Sequence, residues 1–125
     1  MATEEKTKIV VIVDDDESMR NALRGLMKEV GLPAQAFASA EEFLAIGLAQ
    51  KTGCVIADIR MPGMSGLELQ ARLKAEHCNI PIIFITGHGD EKMRLQALRA
   101  GAVEFLSKPF DDEILLDSVR AAMNN

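Results

Sequence analysis

The chain has no tryptophan and no tyrosine among its 125 residues. This removes the usual aromatic platforms for flavin rings or unstacked bases. There are only two cysteines, Cys54 and Cys78, and they follow no pattern, so they read as free thiols rather than a disulfide. Cys54 begins an apolar run and reads as core. No apolar stretch approaches the ~18 residues of a membrane span. Met1 to Lys8 is polar, no signal peptide is visible, and a cytoplasmic location is expected. An excess of basic residues is also lacking. The net charge is −5 and the pI is near 5.0, and an acidic chain repels a phosphate backbone. This segment alone is therefore not expected to bind nucleic acid. No internal repeat, low-complexity tract or interdomain linker interrupts the chain.

What is present is enough for one domain. The apolar fraction is 48% and the mean hydropathy +0.07, which suits a globular fold. A chain of this size buries roughly 65–70% of its unfolded surface. Strand and helix patterns alternate five times. Lys8 to Val13 is a β-branched run of the kind buried on both faces. Glu17 to Val30 has helical apolar spacing, with Gly31 placed to cap it. Pro33 to Ala38 reads as a short strand. Ser39 with Glu42 opens a second helix carrying Phe43, Leu44, Ile46 and Leu48. Cys54 to Ala57 is strand three, and Ser65 with Glu68 opens helix three. Pro81 leads into strand four, Ile82 to Ile85. Asp90 is placed to cap helix four, which ends at Gly101. Strand five is Val103 to Ser107. Asp111 opens a final helix through Ile114, Leu115, Val119 and Ala122.

Five such units with short connections predict an α/β fold: a doubly wound, five-stranded parallel sheet with helices on both faces. In such sheets ligands bind at the carboxyl ends of the strands. Chemistry-bearing residues collect at those ends. Asp14, Asp15 and Asp16 follow the first run, Asp58 the third, Thr86 the fourth and Lys108 the fifth. Closely held carboxylates repel, and a hard cation such as Mg²⁺ relieves that repulsion through oxygen ligands. A carboxylate such as Asp58 can attack phosphorus and become an aspartyl phosphate. A lysine and a threonine hydroxyl can then stabilise the phosphoryl oxygens. Taken singly, each residue has a plainer reading. Asp16 reads first as a helix N-cap, and Asp14 or Asp15 can serve the same way. Thr86 can end a strand because it is β-branched, and Lys108 can be solvated. An acid ending a buried strand, as Asp58 does, needs a partner.

These residues, in order and spacing, resemble the receiver domain of two-component response regulators. The landmarks are Val13-Asp14-Asp15, the segment from Asp58 to Gly66, Ile85-Thr86-Gly87-His88-Gly89-Asp90, Gly101-Ala102 and Lys108-Pro109-Phe110. The likeness runs from about Lys8 to Met123. The Thr86–Asp90 segment most resembles the nitrogen-fixation-type transcriptional regulators, whose full-length members carry a helix-turn-helix output domain. The resemblance implies a flavodoxin-like (βα)5 fold with strand order 2-1-3-4-5, a receiver domain over 8–125 and a flexible N-terminus over 1–7.

The same resemblance assigns roles. Asp58 would be the phosphoacceptor. Asp15 would bind Mg²⁺ directly, Asp14 through water, and the backbone carbonyl of Arg60 would be a third protein ligand. Mn²⁺ would be an acceptable substitute. Thr86 and Lys108 would contact the phosphoryl group, and Lys108-Pro109 would be a cis peptide. Thr86 and Phe105 would form the switch, while plain core packing is the alternative for Phe105. Arg60 and His88 would tune the lifetime of the acyl phosphate, and a solvated loop residue is the alternative for His88. Helix four, strand five and helix five would form the responding surface, with Leu95, Arg99 and Val103 as candidate interface residues. Leu95 and Val103 read equally well as core.

The expected function is that of a phosphoacceptor regulator rather than an enzyme acting on other substrates. It would take a phosphoryl group from a sensor histidine kinase and control either a homodimer or a DNA-binding output domain. A single-domain regulator acting by protein contact is the alternative within the family. A rival outside it is a phosphohydrolase of the haloacid dehalogenase type, in which Asp14-Asp15-Asp16 would supply the Asp-x-Asp motif and Asp14 the nucleophile. Against it, Asp111 and Asp112 follow Lys108 too closely to have their own strand. A flavodoxin-like electron carrier lacks its phosphate loop and its aromatic partners. A receiver-like fold that is never phosphorylated stays open as an alternative, and is disfavoured because no acceptor-site residue is missing.

Overall fold

The computed structural model describes residues 8–87 and 90–124. Five strands, β1 (Ile9–Val13), β2 (Ala34–Phe37), β3 (Thr52–Asp58), β4 (Ile82–Thr86) and β5 (Glu104–Ser107), alternate with five helices. These are α1 (Glu17–Glu29), α2 (Ala40–Ile46), α3 (Gly66–Ala75), α4 (Glu91–Arg99) and α5 (Asp112–Met123). The strands form one sheet in the order β2-β1-β3-β4-β5, and every pair is parallel. This is the order the resemblance implied.

The continuous apolar runs follow from burial on both faces. Successive side chains of a strand point to opposite sides. Val11 and Val13 accordingly join Phe43, Leu69, Leu73 and Ala97 on the side of α2, α3 and α4. Val10 and Ile12 join Leu23, Met27, Leu115 and Val119 on the side of α1 and α5. Cys54 lies on this second side and is fully buried.

All five helices begin at the capping residues predicted. Asp16, Ser39, Ser65, Asp90 and Asp111 each accept a backbone N–H of the first turn, which satisfies donors otherwise left orphaned. Ser65 and Glu68 form a reciprocal capping box. Glu42 departs from that pattern, because its carboxylate accepts the Ala38 N–H at 2.8 Å rather than that of Ser39. Element bounds move by one or two residues. β3 begins at Thr52 and includes Asp58, and β4 extends to Thr86, because both ends pair in register with their neighbours. β5 begins one residue after Val103, whose N–H already reaches the Ile82 carbonyl. A single 3₁₀ turn, Ala49–Lys51, was not anticipated. Ile46 and Ile114, read from spacing as apolar-face residues, are instead 56% and 49% exposed.

Candidate functional site

The parallel register brings the carboxyl ends of β1, β3, β4 and β5 to one edge of the sheet. Just beyond β1, Asp14 is only 2% exposed. Its Oδ1 accepts the Asp16 N–H at 2.9 Å, and Arg20 donates to its carbonyl at 2.8 Å. This turn leaves Asp15 and Asp16 exposed. Asp16 is used as the cap of α1, so its plainer reading holds. Asp58 ends β3, is 9% exposed, and accepts the Arg60 N–H at 3.2 Å. Carboxylate oxygens of Asp14, Asp15 and Asp58 all lie within 4.8 Å of one another.

Lys108 enters this cluster from the end of β5. Its Nζ stands 3.5 Å from Asp14 Oδ2 and 3.4 Å from Asp58 Oδ2. The Lys108 N–H donates to the Thr86 carbonyl at 2.9 Å, so the ends of β4 and β5 are tied together. The Lys108-Pro109 peptide is cis. Thr86 is buried, opposite Ser107 in the ladder. Phe105 is half-buried, its ring centroid 6.4 Å from that of Phe84 at 56°.

Three carboxylates face one ammonium, so the cluster is formally anionic. Burial pushes the Asp14 carboxyl above its ordinary value, and the charges of Asp58 and Asp15 push the same way. The Asp16 N–H and Lys108 oppose them. An all-oxygen donor set with surplus negative charge fits a hard divalent cation. It does not suit a soft thiolate-loving metal.

Two features of the site carry little local signal. The Glu41 carboxylate, from α2, accepts the Met64 N–H at 2.9 Å and so holds the loop after Asp58. Gly66 opens α3 so close to Asp58 that a β-carbon there would lie 2.3 Å from the Asp58 carbonyl oxygen. Both contacts join segments that only the folded chain brings together.

Of the other predicted residues, Arg60 lies beside this edge, whereas Arg99 and Val103 lie toward the amino-terminal ends of β4 and β5. The Arg60 guanidinium is exposed and reaches Met93 Sδ in α4 at 3.7 Å. Leu95 and Val103 are 37% and 43% exposed, and Arg99 is exposed as well, so the core alternative for Leu95 and Val103 fails. His88 lies outside the described residues.

The family model for the response regulator receiver domain matches residues 10–120. The chain belongs to the response regulator receiver family. Nodulation protein W of Bradyrhizobium diazoefficiens is 52% identical over 121 residues, covering 96% of this chain and 53% of that protein. Response regulator protein TodT of Pseudomonas putida is 45% identical over 119 residues, covering 95% and 52%. The crystal structure of FixJ-N superposes with a TM-score of 0.85 at 41% identity, covering 94% of each chain. This receiver domain thus spans about half the length of the curated relatives it matches. Receivers are the phosphorylation-controlled parts of two-component regulators and not a catalytic enzyme family. They bind Mg²⁺ at an acidic pocket, and the cluster of Asp14, Asp15 and Asp58 has that character here. Family membership removes the phosphohydrolase rival, and Asp111 serves as the cap of α5 instead. Among the described residues, no helix is long and apolar enough to cross a membrane.

Proposed function

We propose that Asp58 is the phosphoacceptor of this receiver domain. The observation that carries the reading is Lys108, whose ammonium spans Asp14 and Asp58 at 3.5 and 3.4 Å beside a third carboxylate, Asp15. Asp14, Asp15, Asp58 and the Arg60 carbonyl would hold Mg²⁺, or Mn²⁺ in its place. When bound, the cation screens carboxylate from phosphate and neutralises charge that builds on the phosphoryl oxygens.

A carboxylate oxygen of Asp58 attacks phosphorus, and the P–N bond to a sensor kinase's phosphohistidine breaks with its electron pair left on the imidazole. Lys108 then exchanges its contact with Asp58 for one with a phosphoryl oxygen, and the Thr86 hydroxyl donates to another. The chain promotes its own phosphorylation and the hydrolysis that ends it, and acts on no other substrate. Arg60 and His88 tune that hydrolysis.

Movement of Thr86 toward the phosphoryl group opens space for Phe105 to turn inward, a two-state element biased by local charge. The response reaches the face of α4 and β5, where Leu95, Arg99 and Val103 stand exposed. That face forms a homodimer on phosphorylation or controls a DNA-binding output domain in a cytoplasmic regulator, with residues 8–125 as the receiver. This segment does not itself contact DNA.

The test is intact mass after incubation with Mg²⁺ and a small phosphodonor, for wild type and Asp58→Asn, with both run on a sizing column. One phosphoryl group on wild type and none on Asp58→Asn is the expected result. An adduct that persists in Asp58→Asn, or none on wild type, would overturn the assignment. A size unchanged by phosphorylation would overturn the dimer.

A further inference from the structure

Five polar side chains are buried among the described residues: Asp14, Thr52, Asp58, Gln70 and Thr86. Three belong to the acidic site. Thr52 donates to the Leu48 carbonyl at 2.7 Å and closes the turn before β3. Gln70 is left, and neither the phosphoacceptor chemistry nor the switch pair uses it.

Gln70 lies in α3, 6% exposed, and its Nε2 donates to the Ala97 carbonyl of α4 at 3.1 Å. A carbonyl oxygen can be met only by the nitrogen of the amide, so the contact fixes its orientation. Ala97 belongs to the last turn of α4. The Ala102 N–H also reaches its carbonyl, at 3.0 Å, and the Gly101 N–H reaches Leu98 at 3.0 Å. With Gly101 at φ +107, this is a Schellman closure of the helix. The Gln70 amide therefore takes the second lone pair of a carbonyl already used to end α4.

Apolar packing and the strand that follows add to the hold: Ala102 packs against the core and the Val103 N–H reaches the Ile82 carbonyl at 2.8 Å. Ala97 is the one fully buried residue of α4, and its side chain is a single methyl group. Beside it, a cleft of about 300 Å³ separates α3 from the end of α4, lined by Gln70, Leu73, Cys78, Ile80 and Val103. Near the other end of α4, Arg60 of the loop after Asp58 makes an exposed contact with Met93. The two tethers differ in kind, one a buried amide hydrogen bond and the other an exposed contact to sulfur. Stranding a buried amide is costly, whereas an exposed contact is replaced by water. On the α3 side, Gln70 stands one turn beyond Gly66, whose backbone abuts the Asp58 carbonyl.

We propose that Gln70 is a positioning residue that anchors the C-terminal turn of α4 to α3, so that α4 answers phosphorylation by pivoting about that turn. Its N-terminal half moves, and residues 97–102 stay fixed to the frame that carries Asp58. The pivot rests on the switch reading above; the anchor does not.

The experiment is residue-resolved amide hydrogen exchange on the 125-residue chain, wild type and Gln70→Met, without and with phosphorylation of Asp58. In the unphosphorylated proteins, Gly101 and Ala102 should exchange about two- to ten-fold faster in the variant, the factor expected for one net hydrogen bond. The amides of β1 and β3 should not change, which separates the anchor from a general loss of stability. Equal rates at Gly101 and Ala102 would overturn the anchor. In wild type the Gln70 side-chain amide protons should exchange slowly, a readout that needs no variant; solvent-like exchange there would also overturn it. On phosphorylation, wild type should change protection in residues 91–95 and keep it at 101–102, whereas in Gln70→Met the change should spread to 101–102. Changes at both ends in wild type would overturn the pivot. A phosphorylated wild type with no change anywhere in α4 would refute the switch reading and the pivot together, with the anchor decided by the unphosphorylated pair.

Discussion

Replacing glycine by alanine at positions 66 and 25 should shift stability in opposite directions. Gly66 is the first residue of α3, and an added β-carbon would sit 2.3 Å from the Asp58 carbonyl oxygen and 3.0 Å from Phe84 Cε1. One neighbour is backbone and the other a buried ring, so neither yields freely. Overpacking of this kind costs about 1–3 kcal/mol. The gain in helix propensity, at most ~1 kcal/mol, offsets part of it. Gly66→Ala should therefore lose about 1–2 kcal/mol. Gly25 lies inside α1 with nothing within 4 Å of the β-carbon position. Gly25→Ala should gain about 0.8–1 kcal/mol. For a domain of this size, 1 kcal/mol moves Tm by roughly 3–5 °C. With no tryptophan or tyrosine in the chain, far-UV circular dichroism is the suitable probe of both melts. Relief of the clash displaces the Asp58 backbone, so Gly66→Ala should also accept phosphate more slowly, while Gly25→Ala should match wild type. A Gly66→Ala protein as stable as wild type, or a less stable Gly25→Ala, would refute the steric argument.

Asp14→Asn should stabilise the metal-free protein at neutral pH. The native Asp14 carboxyl is raised above 3.8, so the folded chain holds the extra proton between 3.8 and the raised value, and stability falls as pH rises through it. Asparagine removes that loss, and the advantage should vanish below about pH 3.8 in urea titrations across pH; parallel curves for the two proteins would contradict this. His77 holds the left-handed position after α3, at φ 61, with its N–H on the Lys74 carbonyl. His77→Gly should raise stability by about 0.5–1 kcal/mol, because relief of a 1–2 kcal/mol conformational cost exceeds the entropy glycine adds to the unfolded chain; a lower Tm would count against it. Burial pushes the Cys54 thiol up to about 12, whereas Cys78 is half-buried. A thiol reagent at pH 8 should modify one cysteine in the native protein, Cys78, and two after unfolding; rapid native labelling of Cys54 would show that β3 is open to solvent.

Much of the fold is legible because its signals are local. The run from Ile9 to Val13 carries apolar side chains to both faces, as a covered parallel strand requires. Asp16, Ser39, Ser65, Asp90 and Asp111 mark helix starts because a short side chain beside orphaned N–H groups is a contact within a few residues. Ile46 and Ile114 mislead because spacing shows which residues share a helix face, and not how far the sheet beneath extends to cover them. The Met64 N–H to Glu41 and Gln70 to Ala97 contacts join positions 23 and 27 residues apart, and no pattern within a single element contains them.

The strand–helix alternation, the five caps and the placement of Asp14, Asp58, Thr86 and Lys108 at strand ends are all written in the order of residues. These depend on residue type and short-range spacing. Folding was needed to bring Lys108, 50 residues from Asp58, between it and Asp14, to raise the Asp14 carboxyl by burial, and to set the Gln70 amide on the Ala97 carbonyl at the end of α4. Charge coupling, desolvation and close approach depend on distances through space. Those distances are set by strand order and register, which bring remote segments within a few ångströms.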